Sequence, residues 1–569
     1  MESHSKNTKE SSTVATDEAA IPHEGSSVHS VHSSTTIHTK REDNANADTH
    51  DNLMNEKLSD TTHDQVHLHD PNHAPAGHGE SAIPADKKEE EMENLQDDWE
   101  DDPANARNWS FSKKWTCVAI VSLYTFLSPL SSSMLAPGLP DIATRYGVTS
   151  TTETSLMLSV FLVSFALGPL ILAPLSEMYG RTWILHFGTF FSLAFNIGCA
   201  FAPNAGAFIG FRFLRSAPIA CGGGSIGDLF SERDRASAMA IYSLGPLIGP
   251  AVGPVAGGFI AQTIGPKYVF IVIAAACGVS LVVGVPLLKE TYAPVIRLRR
   301  ARAEGDLEKA KHFHGSMSNM SKWEYLWLNL SRPVILLSRS FICFILSLYM
   351  AFMYGIYYLM FTTFPELFNG IYGFDTGIGG LVYLGLGIGF LVATMFGAKT
   401  ADQIYHYLAS KNGGKGKPEM RIPALAFGSL WVPVGLLWVF VFVIVVQAHP
   451  EASICSWYGW SAQARIHWIM PIIGSGIFGF GMMTTFLPIQ LYLVDAFQFA
   501  ASALAAASVM RSLLGFAFPL FGTQMYHALG YGGGNSLLGG LAIVLGIPFP
   551  IWIYYKGEQM RARNSLTRT

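Results

Sequence analysis

Charge is scarce in this chain, and the scarcity is uneven. Only 14% of the 569 residues are Asp, Glu, Lys or Arg. The stretches 116–140, 182–211, 236–266, 340–365, 422–450 and 512–555 contain none at all. About 20 apolar residues let a helix cross a bilayer, so runs of this length exclude a soluble globular core. Cysteine is also sparse. The six, at 117, 199, 221, 277, 343 and 455, show no metal-binding or redox spacing, and all but Cys455 fall in expected spans. They read as small apolar residues. No Gly-x-x-x-x-Gly-Lys-Ser/Thr loop occurs, which excludes ATP use through a P-loop. The N-terminus lacks the apolar core of a cleavable signal peptide. Carboxylates are missing from mid-span: Asp141, Glu366, Asp228 and Asp495 all fall at ends. A membrane enzyme would need His or acid clusters at a membrane face, and here histidine concentrates in the tail, so no enzyme is expected.

What is present is an all-α membrane protein of twelve expected spans in two six-helix halves. The spans are 115–138, 155–176, 183–202, 206–226, 236–262, 268–288, 340–364, 376–398, 422–446, 467–493, 499–524 and 534–555. Residues 1–106 form a polar tail, disordered by composition, that holds 11 of the 18 histidines. Transient metal binding by His67, His69, His73 and His78 competes there with a plain solvated tail. Residues 107–288 make the first half, 289–339 a basic central loop, 340–556 the second half and 557–569 a C-terminal tail. With the N-terminus inside, the segments flanking the spans on the cytoplasmic side hold 25 Lys plus Arg and the outer loops three, which places both termini in the cytoplasm. The Asn-x-Ser/Thr triplets at Asn108, Asn319 and Asn329 fall inside and should be unmodified.

The organising stretch is Gly245-Pro246-Leu-Ile-Gly249-Pro250-Ala-Val-Gly253-Pro254-Val-Ala-Gly257-Gly258. Glycine at every fourth position lines one helix face. In lipid the backbone stays helical, and the stripe admits close approach of a second helix. The prolines weaken the helix locally. The stretch reads as a packing face, or more sharply as a bent helix at an interface that rearranges. The halves also repeat weakly. Sliding Ser237-Ala238 onto Ser502-Ala503 matches Pro254 to Pro519, Gly257 to Gly522 and Gly265 to Gly530. Two related halves around a midplane cavity are the plan of a secondary transporter.

With these motifs in order, the chain resembles the major facilitator superfamily, and within it the fungal twelve-span drug:proton antiporters, over about residues 102–560. Gly249-Pro250-x-x-Gly253-Pro254 is similar to the antiporter motif of span five. Glu177-Met178-Tyr179-Gly180-Arg181 is similar to the superfamily's loop motif of acid, Gly and Arg, and Arg212 to the arginine of a third motif. Asn108-Trp109-Ser110, Glu290-Thr291-Tyr292-Ala293-Pro294, Leu348-Tyr349-Met350-Ala351-Phe352, Pro418-Glu419-Met420-Arg421 and Ala501-Ser502-Ala503-Leu504 resemble the fungal branch. The chain departs from the pattern at Glu177, Met178, Ala173, Ser216 and Arg215, where relatives commonly carry Asp, Arg, Gly, Gly and Gln.

Gly180 permits a tight turn, and Glu177 with Arg181 can form a charged latch at the cytoplasmic end of spans two and three. The resemblance implies that this latch favours the outward-facing state. Arg212, Arg215 and Arg511 are the basic residues inside spans, where a charge normally faces the bundle interior or water. Arg212 is expected to organise a polar network near the cavity and to tune proton coupling, against the plainer reading of a helix-locking bond to backbone. Arg511 can instead snorkel toward headgroups. Asp141 is either proton-accessible or an interfacial helix cap. By resemblance, spans one, four, seven and ten line the cavity, with Tyr354, Tyr358 and Gln490 among its candidates. Aromatic rings with few polar groups suit bulky amphiphilic or cationic molecules.

The resemblance thus implies export of small amphiphilic compounds (drugs, secondary metabolites, a glycolipid, an organic acid or a polyamine) in exchange for protons. No cofactor is expected beyond the proton gradient. The expected setting is the plasma membrane, with the vacuolar membrane as alternative. Partners are the substrate, protons and lipid, with no nucleic acid, and the chain is expected to act as a monomer. An uptake symporter and a non-transporting sensor are the competing readings on the same fold.

Overall fold

The computed structural model describes residues 99–215, 219–230, 235–305, 321–437 and 467–567. These all belong to one compact unit. Most of the tail with its histidines, Ser216, Asn319 and Cys455 lie outside the described residues.

Span one is Phe111–Ser133, followed by a short helix on the far face, Leu139–Arg145. Span two, Thr151–Tyr179, is interrupted at Val160, where one helical piece ends at Ser159 and the next starts at Phe161. Span three is Arg181–Ala200. Span four is described over Ala205–Leu214 and Ile219–Leu229. Span five is Arg235–Ile264 and span six Pro266–Leu287. Two helices follow outside the spans, Ala293–Glu304 and Lys322–Arg339. Span seven is Phe341–Gly370, span eight Thr376–Lys411, span nine is described over Pro418–Leu437, and span ten is Ile469–Ala496.

The helical stretch Ala500–Ala562 has 63 residues. At 1.5 Å per residue it would be about 95 Å long, roughly three bilayer cores. Gly530, at φ 70° and ψ 166°, breaks it. This left-handed conformation suits glycine and divides the stretch into spans eleven and twelve. Ten helices among the described residues are long and apolar enough to cross a membrane. Dividing the long stretch at Gly530 and adding span four brings the crossings to twelve. Span eight outruns its expected end at 398, because a helix need not stop where the hydrocarbon does: Lys399, Asp402 and Lys411 continue it into water. No strand occurs among the described residues, only an isolated bridge from Phe497 to Thr567.

An even number of crossings puts both ends of the described chain on one side, here termed the termini face. Asp102 and Arg300 pair there at 2.5 Å.

The glycine stripe of span five packs within its own half. A Cβ on Gly245 would lie 3.2 Å from the Phe126 backbone and one on Gly249 2.9 Å from Pro129, while Gly253 and Gly257 leave no room beside Ser133 and the Met134 carbonyl. Span five thus lies nearly backbone to backbone on span one. An adjoining face meets the second half. A Cβ on Gly258 would sit 2.7 Å from the Thr376 carbonyl, and Gly380 abuts the Pro254 carbonyl. Between lipid-immersed helices such close packing supplies the van der Waals contact that a hydrophobic driving force cannot.

Candidate functional site

The break in span two and the end of span one shape the surroundings of the buried arginines. Arg212 is 0% exposed. Its Nη2 donates to the Leu158 carbonyl at 2.9 Å, beside the interruption at Val160. Its Nε and Nη1 have no partner. The guanidinium lies over Phe161 at 5.5 Å and Phe208 at 6.0 Å. Arg215 is differently placed. It donates to the Ser131 carbonyl at 3.2 and 3.3 Å and to Asn196 Oδ1 at 3.1 Å. Ser131 is in the last turn of span one, where carbonyls lack intrahelical partners, so Arg215 caps that helix with a cation of favourable sign.

Phe161 leads from Arg212 to the other half. Its ring meets Tyr358 of span seven at 5.8 Å, Tyr358 meets Tyr354 at 5.0 Å, and Arg511 of span eleven sits over Tyr354 at 4.7 Å. Arg511 therefore faces span seven instead of headgroups, with one hydrogen bond to Ser508 Oγ at 3.3 Å. Further rings, Tyr357, Phe361 and Tyr383, continue the cluster at spacings near 5 Å. Such offset and edge contacts suit aromatic rings. Gln490 is half-buried on span ten. Asp141 is exposed, in the first turn of the short far-face helix. The structure does not bring it to the arginines.

On the far face, span two and span seven flank a pocket of about 370 Å³ lined by Thr151, Thr154, Ser155, Thr362, Glu366 and Asn369 among others. Gln524 of span eleven donates to Thr152 Oγ1 of span two at 3.1 Å near that face.

The termini face is tied together. Gly180 turns the chain at φ 107° between spans two and three. Arg181 then reaches Glu177 at 3.7 Å, Asp228 of span four at 3.3 Å and Ser176 Oγ at 2.8 Å. Its ring partner is Tyr292 at 4.8 Å. The Glu290 carboxylate accepts the backbone N–H groups of Arg181 at 2.9 Å and Thr182 at 3.3 Å. A carboxylate at these first N–H groups satisfies orphan donors and the helix dipole. Arg299 donates to the Tyr179 carbonyl at 3.1 Å, capping the adjoining C-terminal end of span two. Tyr325, on the helix before span seven, donates to Glu177 Oε2 at 2.7 Å. The same helix touches the second half and the C-terminal tail, with Arg332 over the Phe499 ring at 4.8 Å and the Arg339 carbonyl accepting from Asn564 at 3.2 Å. Burial pushes the Tyr292 hydroxyl up to about 12 and also raises Tyr325, helped by the Glu177 charge. Tyr325 thus keeps its proton to donate to Glu177 at neutral pH.

The second half carries a matching cluster. Arg421, opening span nine, pairs with Asp495 of span ten at 2.7 Å, as Arg181 opens span three and pairs with Asp228 of span four. Glu419 takes two bonds from Arg561, at 2.7 and 2.9 Å, with both side chains buried.

Reasoning from the sequence paired Arg181 with Glu177 but missed its closer partner Asp228 and the capping role of Glu290. The fungal-branch motif at Glu290-Thr291-Tyr292 was the available signal. It also missed His186, an ionisable group within span three, whose Nδ1 lies 3.0 Å from the Tyr124 hydroxyl. No group of three or more metal-ligating side chains occurs among the described residues.

A profile of the Major Facilitator Superfamily matches residues 121–519. "MFS transporter cpaT" of Aspergillus oryzae is 41% identical over 86% of this chain and 96% of its own length. "Efflux pump radE" of Floropilus chiversii is 40% identical over 85% of this chain and 88% of its own length. "Efflux pump vrtL" of Penicillium aethiopicum is 40% identical over 81% and 89%. Among solved structures, the xylose transporter XylE of E. coli, in a partially occluded inward-open conformation, aligns over 78% of this chain and 98% of its own. Its TM-score is 0.55 at 13% identity, a likeness of fold.

Proposed function

The chain belongs to the major facilitator superfamily, and from that premise we propose that it exports small amphiphilic compounds in exchange for protons. Membership makes it a multi-pass membrane transporter of small molecules and not an enzyme. Export is favoured by relatives named efflux pumps. The observation that carries the reading is the aromatic seam. Phe161 of the first half and Tyr358 of the second close over Arg212, so opening the halves would uncover a buried cation among rings. Alternating access needs a central site that two rocking halves cover and uncover in turn.

The termini face is read as cytoplasmic, from the 25-to-three excess of basic residues, and the membrane as the plasma membrane. The Arg181 network then forms a cytoplasmic latch that is closed here, while the pocket on the other face adjoins the seam's outer side. This arrangement agrees with a latch that favours the outward-facing state. A single chain supplies both halves, so it is read as acting as a monomer.

Efflux from intact yeast lacking its own multidrug pumps tests the reading. Cells are loaded with fluorescent amphiphiles, organic acids and polyamines, with and without a protonophore. Protonophore-sensitive efflux above that of empty cells, abolished by Arg212→Ala at matched surface abundance, is expected. No faster efflux of any compound, with folded protein at the surface, would contradict general export.

A further inference from the structure

We propose that the substrate is a planar aromatic anion, bearing a carboxylate or an ionised phenol, held between Arg212 and Arg511 across the aromatic seam. The inference rests on the transport reading above and names the cargo's chemistry.

Three guanidiniums stand inside the spans, and none has a carboxylate partner among the described residues. The ion pairs described all lie at the ends of the spans or beyond. Arg215 directs both Nη atoms to the Ser131 carbonyl and Asn196 and leaves only Nε without a partner. Arg212 is less well satisfied. It is fully buried, spends one nitrogen on a backbone carbonyl and leaves Nε and Nη1 without partners. A buried charge without a counterion is strongly destabilising, and an isolated buried donor costs its full desolvation. Arg511, facing the same ring series from the other half, also leaves Nε without a partner. Proteins retain such groups where a ligand supplies the missing charge and acceptors.

Geometry fixes the rest of the ligand. Between the two cations run Phe161, Tyr358 and Tyr354, with steps of 5.5, 5.8, 5.0 and 4.7 Å from Arg212 to Arg511. Phe486 stacks on Tyr354 from the side, at 6.4 Å. The site is closed here, so a ligand enters by replacing ring–ring contacts with its own rings. A flat aromatic body matches what it displaces, and its anionic group completes the donors of Arg212 with charge-assisted hydrogen bonds. A cationic amphiphile would add a third like charge beside Arg212 and Arg511. A neutral one would leave the donors' charge uncompensated.

The full chain, purified and placed in lipid nanodiscs, is titrated with three matched probes: 2-naphthoate, 2-naphthamide and 2-naphthylmethylammonium. Binding is read by tryptophan quenching and by the shift in thermal unfolding. The proposal expects naphthoate to bind at least tenfold more tightly than either analogue. It expects Arg212→Gln to erase that preference and Arg212→Lys to keep part of it. The wild-type comparison needs no variant, so a misfolded Arg212→Gln leaves the test intact. Equal or tighter binding of the amide or ammonium probe, or no binding of naphthoate, overturns the proposal. Efflux of the same probes from yeast separates the two readings. Export of the amide or ammonium without the acid sinks the anionic cargo and leaves the transporter an exporter. If folded protein at the surface exports none of the three and nothing from the broader panel, both readings fall.

Discussion

Phe161 of span two and Tyr358 of span seven meet ring to ring across the boundary between the halves, with centroids 5.8 Å apart and planes tilted by 59°. Phe161 also lies beneath the Arg212 guanidinium. One ring thus closes the seam and shields the most buried cation among the described residues. Replacing it with alanine removes an aromatic pair worth about 0.5–1.5 kcal/mol and a desolvated cation–π contact worth up to about 2 kcal/mol. Phe161→Ala should therefore lower the thermal unfolding midpoint and cut transport more than tenfold, while Phe161→Tyr should retain most of both. Unfolding scans and uptake rates on the same preparations check this.

Gly180 holds a left-handed turn at φ 107°, with the Glu290 carboxylate where a Cβ would go. Gly180→Ala incurs a backbone cost of about 1–2 kcal/mol and pushes Glu290 off the start of span three. The termini face should loosen. Faster labelling of a cysteine introduced at Thr291, which is buried, with no loss of total folded protein, is the expected result. Tyr325→Phe removes one hydrogen bond of about 0.5–1.5 kcal/mol and should shift labelling in the same direction by less.

Gly257 abuts the Met134 carbonyl with no room for a methyl group, whereas Gly540 has nothing within 4 Å. Gly257→Ala should force span five off span one and reduce the yield of monodisperse protein severalfold. Gly540→Ala should leave yield unchanged. Size-exclusion profiles of the two variants decide it.

Glu419 and Arg561 form a two-bond pair with side chains 8% and 7% exposed. Removing one member strands the other, at about 3–5 kcal/mol. Arg561→Gln alone should destabilise the chain strongly, and the double variant Glu419→Gln/Arg561→Gln should recover much of that loss. A double-mutant cycle from unfolding midpoints measures the coupling.

The spans were legible because lipid imposes a simple rule: about 20 uncharged residues make a crossing. Their ends were less so. Span eight runs on to Lys411, since nothing in its charged continuation disfavours helix. The glycine period of span five foretold close packing, but not that the partner would be span one, because a stripe does not name what it faces. At the site, the sequence set Arg212 apart by its motif and Arg215 by its departure from the family pattern, but it could not say what either side chain touches. Their environments separate them. Arg215 finds the frayed carbonyl of span one and Asn196, and Arg212 finds a single carbonyl and two rings. Partners such as Asp228 for Arg181 come from distant segments brought together only by the bundle.

The central claim, proton-driven export by alternating access, is tested most directly in sealed inside-out vesicles. The fluorescent amphiphile that leaves intact cells fastest is added outside, and the vesicle interior is acidified. The account predicts accumulation that follows the imposed proton gradient, collapses with a protonophore and disappears in Phe161→Ala. Accumulation that ignores the gradient, or that appears only when the gradient is reversed, would contradict it.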